Sequence, residues 1–188
     1  MEKLDQKIIA PGQVLLAQPF MLDPHFKRAS VLLCEHTDEG SLGFIMNKPI
    51  EMSVDRLVGD FPEFEAQVYY GGPVATDTLH YIHNVGNLLE DSIKVCRGVY
   101  WGGQFDKLKF LIESKLVKKK NIRFFVGYSG WSEGQLAEEM EYGSWVTADM
   151  HANYLFKDSS KNLWHKIMRN KGDTFSVIAE LPDNISPN

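Results

Sequence analysis

Cysteine is scarce and unorganised: Cys34 and Cys96 are the only two in 188 residues, each alone in an apolar run, and no CxxC spacing occurs. This excludes a disulfide framework or a thiolate zinc site. Two buried free thiols in a reducing compartment are expected, with a single Cys34–Cys96 bridge as the alternative. Long hydrophobic runs are also missing: a transmembrane helix needs about 20 consecutive apolar residues, and no stretch approaches that. Met1 to Gln6 has neither the basic start nor the apolar stretch of a secretory leader, so a cytoplasmic protein with no membrane partner is expected. There is no Walker-type loop and no G-x-G-x-x-G, which removes two common phosphate cradles. Metal-ligand spacing is absent: His80 and His83 would face opposite ways in a strand, and no further His, Asp or Glu completes a set. Neither a metal nor a cofactor is expected. Positive charge is not in excess either. Twenty basic against 25 acidic residues leave a net charge of −5, which argues against a general nucleic-acid coat protein.

What is present is globular: 44% apolar and 24% charged residues, with no repeat, low-complexity stretch or linker. A single domain over residues 1–188 is expected. Strands are predicted over Gly12–Ala17, Gln67–Tyr70, Leu79–Val85, Ile93–Tyr100, Ile122–Tyr128, Ser144–Ala148 and Phe175–Ala179. Val31–Glu35 and Leu42–Asn47 are predicted to form a hairpin around a link rich in Asp, Gly and Ser. Asp23-Pro24 offers a single helical turn through Phe26, and Ser53 caps a short helix through Leu57. Phe105, Leu108, Leu111, Ile112 and Leu116 recur at helical steps, with Lys118-Lys119-Lys120 placed to suit the negative end of that helix. Ser132 and Gln135 have capping-box spacing for a helix running to Tyr142, and a last helix is read over Ser160–Arg169. Hairpins without βαβ alternation favour an α+β fold.

Chemistry is thinly signalled. In a regular strand Cys34 and His36 share a face, so a thiol activated by an imidazole is one candidate. Gly127-Tyr128-Ser129-Gly130-Trp131 follows a strand and precedes a helix, as a nucleophile elbow does, but Trp131 stands where that elbow needs its second glycine. Cys34, His36 and Ser129 are thus the catalytic candidates, each with an ordinary packing or turn explanation beside it. Glycines at Gly71 and Gly72 would let backbone approach a ligand. With Glu35, His36, Asn47, Ser129 and Trp131 they form the candidate ligand-binding set. Charge is uneven: from Lys94 to Arg123 the basic residues meet only Asp106 and Glu113. Lys107, Lys115, Lys118, Lys119, Lys120 and Arg123 are the candidate surface for a nucleic-acid or protein partner.

Three stretches together resemble the AlgH/YqgE family of bacterial proteins. The first runs from Gly12-x-Val14-Leu15-Leu16-Ala17 and Pro19 through Asp23-Pro24-x-Phe26-x-Arg28 and Val31-x-Leu33-Cys34-Glu35-His36 to Gly40-x-x-Gly43 and Asn47-Lys48-Pro49. The second is Tyr70-Gly71-Gly72-Pro73-Val74 with His80; the third is Gly127-Tyr128-Ser129-Gly130-Trp131-x-x-Gly134-Gln135-Leu136, with Glu139 and Trp145 beyond. They span about residues 12–146, and Phe175–Asn188 departs from the family's Gly/Ala-rich ending. The resemblance implies a single α+β domain, mainly an antiparallel bifurcated sheet forming a barrel-like core flanked by helices, in the bacterial cytoplasm. The family's function is unknown. It is often labelled a transcriptional regulator, without a DNA-binding element or catalytic residues. The expectation is a non-enzymatic regulatory or binding protein acting on a nucleic-acid or protein partner. The alternative is a small-ligand-binding protein or hydrolase-like enzyme, its site built from the Cys34-Glu35-His36, Gly71-Gly72-Pro73 and Gly127–Trp131 segments.

Overall fold

Strand β1 (Gln13–Ala17) and strand β2 (Ser30–Thr37) carry apolar residues at consecutive positions, as strands covered on both faces must. Val14, Leu16 and Leu32 enter one core cluster, while Leu15, Val31 and Leu33 enter another on the opposite face. The structure, a computed structural model, describes residues 8–182. β2 pairs with β3 (Gly40–Ile45) through a tight turn, so the predicted hairpin forms with a longer first strand, a second strand that starts and ends two residues earlier, and a shorter link.

The remaining strands are β4 (Pro49–Ser53), β5 (Gln67–Tyr70), β6 (Val74–His83), β7 (Ile93–Cys96), β8 (Val99–Trp101), β9 (Ile122–Ser132) and β10 (Trp145–Asp149). They form one ten-stranded sheet whose main path is β10-β1-β2-β3-β9-β6-β8-β7. β9 is where it divides. Its first half pairs with β6 antiparallel and β5 parallel; its last four residues pair with β3. The expected bifurcated α+β architecture is thereby present. The sheet stays open among the described residues, with β10 and β7 ending the path, although Gly12 packs directly against Cys96 of β7.

The branch point demands glycine. A Cβ on Gly71 would lie 2.4 Å from the Gly127 carbonyl oxygen, and one on Gly72 2.3 Å from the Tyr128 carbonyl. Gly72 also has φ +152°. These glycines admit backbone to backbone, where the sequence reading had them admit a ligand.

Helices α1 (Val54–Leu57) and α2 (Phe105–Glu113) cover β5, β6 and the start of β9 through Val54, Leu108, Leu111 and Ile112, which share a core cluster with Phe124 of β9. α3 (Gln135–Glu141) closes the opposite face of β1–β3 through Leu136. It begins later than predicted: Gln135 Oε1 accepts from the Ser132 backbone N–H at 3.0 Å, holding one half of the capping box. It ends as expected on left-handed Gly143, with Ser144 N–H donating to the Glu139 carbonyl. α4 (Asn153–Phe156), α5 (Leu163–Asn170) and α6 (Asp173–Ala179) cover the first cluster through Leu155, Trp164, Ile167 and Met168.

Three sequence expectations change. Ile93–Tyr100 is two strands, because Gly98 at φ +73° reverses the chain. Phe175–Ala179 is helical: Phe175, Ile178 and Ala179, three and four apart, pack on the core while Val177 stays exposed. α2 stops at Glu113, and left-handed Lys115 turns the chain, so Lys118–Lys120 belong to the turn entering β9 and do not cap the helix. The divergent tail beyond residue 182 lies outside the described residues. Among them no helix is long and apolar enough to cross a membrane.

Candidate functional site

A β-bulge decides the fate of the first candidate. Register slips between Leu33 and Glu35, so the alternation that would put Cys34 and His36 on one face is broken. Cys34 is buried among Leu32, Phe44 and their neighbours, and burial pushes its thiol far above the ordinary range, with Cys96 adding to the rise. His36 faces the other way and shares a 2.7 Å hydrogen bond with Ser41 Oγ. Glu35 is exposed and lines an open groove of about 380 Å³ with Thr37, Glu39, Leu42, Tyr128 and Gly130. The bulge thus separates the thiol from the imidazole. Cys96, half-buried, is also a free thiol.

Ser129 lies inside β9, since the strand runs on to Ser132 where the sequence suggested an elbow. It is fully buried, and its Oγ donates to the Gly71 carbonyl at 3.0 Å, tying the two branches of the sheet together. No histidine bonds to it, so it has no base to activate it. Asn47 holds backbone as well: its Oδ1 accepts from Ser30 N–H and its Nδ2 donates to the Arg28 carbonyl, both at 2.9 Å. Trp131 is 6% exposed and donates Nε1–H to Glu139 Oε2 at 2.9 Å. Trp145 Nε1 donates to the same oxygen at 2.7 Å, and Gln135 Nε2 to Glu139 Oε1 at 2.9 Å. The third matched stretch therefore builds a carboxylate that two indoles and an amide share, roofed by Phe26.

His83 is fully buried; its Nδ1 accepts from Val85 N–H, and Nε2 faces the Gly102 carbonyl at 2.8 Å, which fixes a neutral tautomer. Burial lowers its pKa from the ordinary 6.5, and that of His80 likewise. His80 sits between Phe44, Trp101 and Tyr128 and touches Thr78 Oγ1 at 2.9 Å. Among the described residues no three His, Cys, Asp or Glu side chains are grouped to hold a metal ion.

The basic candidates divide. Lys107 rests over the Phe110 ring, while Lys115 and Lys118 border an apolar hollow of about 490 Å³ with Phe64 and Val117. Lys119, which also borders that hollow, meets Lys120 and Arg123 at a second groove of about 300 Å³ between β5, the start of β9 and α4. Its walls include Tyr69, Leu155, Phe156, Lys157, Glu65 and Asp158. Arg123 is a floor residue, 8% exposed, and not the surface contact expected. Its Nη1 donates to the Met46 carbonyl at 2.9 Å and its guanidinium lies 4.4 Å above the Tyr69 ring. Burial pushes its pKa down, and only the Tyr69 hydroxyl acts the other way. The two acidic wall residues each meet a lysine, Glu65 with Lys119 at 3.7 Å and Asp158 Oδ1 with Lys166 at 2.7 Å, while Asp158 Oδ2 is buried without a hydrogen-bond partner. Among the described residues no carboxylate lies within ion-pair distance of Lys120, Arg123 or Lys157.

Sequence reasoning missed Tyr69, Phe156 and Lys157 at this groove and Glu139 as the shared acceptor. One signal was available: Arg123 is the single charge in an apolar strand, the mark of a buried charge with a task. Nothing local marked Lys157, which arrives through α4.

Comparison with known proteins agrees with this geometry. The AlgH-like family (DUF179) matches residues 14–176. A UPF0301 protein of Chlorobaculum tepidum is 42% identical over 177 residues, covering 94% of this chain and 95% of that one. A UPF0301 protein of Cytophaga hutchinsonii is 36% identical over 176 residues, with 93% and 97% covered. Among solved structures, a Corynebacterium diphtheriae protein shares the fold with TM-score 0.77 at 20% identity, covering 95% of each chain. The solution structure of AlgH from Pseudomonas aeruginosa, a UPF0301 protein, superposes with TM-score 0.69 at 25% identity over 91% of this chain and 94% of that one. The sheet that divides at β9 and the sequence match over most of its length lead to one conclusion: this chain belongs to the AlgH-like family.

Proposed function

We propose that the protein is a non-enzymatic regulatory protein of the cytoplasm that works by binding a nucleic acid through its basic face. The observation that carries this reading is the set of cations at the β5–β9–α4 groove, Lys120, Arg123 and Lys157, that lack a carboxylate partner. Lys115 and Lys118 extend the same face along the neighbouring hollow. The Lys119–Glu65 pair is exposed and so holds Lys119 only weakly. The enzymatic alternative has lost its nucleophiles: Cys34 is buried as a neutral thiol and Ser129 is spent on the Gly71 carbonyl.

The test is a titration of labelled duplex DNA and RNA at about 50 and 200 mM salt. Several phosphate contacts should weaken binding by orders of magnitude between the two. Reversal of Lys115, Lys118 and Lys119 to Glu should abolish it while leaving the unfolding transition in place. Absence of binding at the lower salt, or binding that ignores the reversals, overturns the reading.

A further inference from the structure

Arg123 is a buried charge whose counter-ion is not in the fold. We propose that the groove above it binds a small phosphomonoester, its phosphate on Arg123 and its body, of nucleoside size, along Tyr69 and Phe156. The inference rests on the binding reading above for the location of the face and adds a ligand class to it.

Three features converge. First, Arg123 lines the groove, its guanidinium donates one N–H to the Met46 carbonyl, and among the described residues no carboxylate lies within ion-pair distance of it. A buried cation without an anion is costly to keep, and a bidentate oxyanion is the partner a planar guanidinium fits best. The Tyr69 ring beneath holds that plane in place. Second, the charge at the groove suits a dianion. Lys120 and Lys157 stand on the rim without carboxylate partners, while Glu65 is paired with Lys119 and Asp158 with Lys166 through Oδ1 alone, its Oδ2 being buried without a hydrogen-bond partner. A carboxylate ligand brings one negative charge; a phosphomonoester brings nearly two, with three acceptor oxygens for Arg123 and the rim lysines to share. Third, the space fits. About 300 Å³ is at the small end of ligand pockets, and besides the cations and the polar Glu65, Gln67 and Asp158 its walls include the partly exposed rings of Tyr69 and Phe156, surface for the body of the ligand.

The experiment is calorimetric titration of the full chain with adenosine monophosphate, inorganic phosphate, adenosine and a short single-stranded RNA. Adenosine monophosphate should bind and raise the melting temperature, inorganic phosphate should bind more weakly, and adenosine should give no heat. Arg123→Lys should weaken the monophosphate about tenfold or more, because a lysine cannot supply the fork. Lys157→Ala and Lys120→Glu, at exposed positions, should each weaken it several-fold and decide the matter if Arg123→Lys does not fold. Lys115→Glu with Lys118→Glu should leave the monophosphate unaffected while reducing RNA binding, which separates this inference from the reading above. No heat with the monophosphate up to about 10 mM, a range of merely nonspecific affinity, overturns the inference even if RNA binds. Equal binding of adenosine, or indifference to Lys157→Ala and Lys120→Glu, overturns it too.

Discussion

Two polar regions of this molecule differ in how completely their groups are satisfied. Around Glu139, both carboxylate oxygens are occupied by donors from Gln135, Trp131 and Trp145, all of which stand in or beside the third matched stretch. Around Arg123, residues from three separate parts of the chain meet, and the central guanidinium keeps donors to spare. The first region is rich in motif and closed; the second has almost no motif and is open. A dense pattern of Gly, Ser, Trp and Asn can mark a backbone that is hard to fold, while a binding face is marked by charge left without a partner.

Four measurements break or sharpen that contrast. The largest effect is expected at the branch point. Gly72→Ala would force a Cβ to 2.3 Å from the Tyr128 backbone at φ +152°. The variant should lose more than about 4 kcal/mol or fail to fold, as denaturant unfolding would show. Next is Glu139→Ala, which strands two indole N–H groups and an amide. A loss of about 3 kcal/mol is expected, with Glu139→Gln recovering part of it by keeping one acceptor. A loss under about 0.5 kcal/mol would mean the motif serves something other than folding.

Third is a pH effect centred on His83. Burial lowers its folded pKa below 6.5, so the unfolded chain binds more protons below that value. Stability is then complete above pH 6.5 and falls as the pH drops below it towards the folded pKa; His80 adds in the same direction. Urea midpoints at about pH 7.5 and 5.5 should differ accordingly, and His83→Gln should flatten the slope. The smallest stability effect belongs to the open region. Lys120→Glu and Lys157→Ala should shift the unfolding free energy by no more than about 0.5 kcal/mol. If either costs as much as Glu139→Ala, the groove is part of the folding machinery and the contrast fails.

Much of the fold was legible locally. The Val14–Ala17 and Val31–Cys34 runs declared strands, Gly143 declared a helix end, and the α2 pattern held through Ile112. Phe175–Ala179 reads as a strand and folds as a helix, because a short apolar run carries no period of its own until a surface selects one face. At the candidate site the basic segment is visible in the sequence, yet local charge groups Arg123 with the surface lysines while the fold buries it.

The amino-acid sequence by itself determined the α+β class, the strand-rich first half, the amphipathic pattern of α2 and the lack of metal-ligand spacing, because these depend on periodicity, turn chemistry and residue type within a few positions. Only the tertiary structure decided the rest. The one-residue bulge after Leu33 parted Cys34 from His36, β9 divided between two sets of partners, and α4 brought Lys157 to Arg123. Register and long-range packing depend on which face a strand gives to which neighbour, and a single inserted residue reverses that choice without changing local propensity.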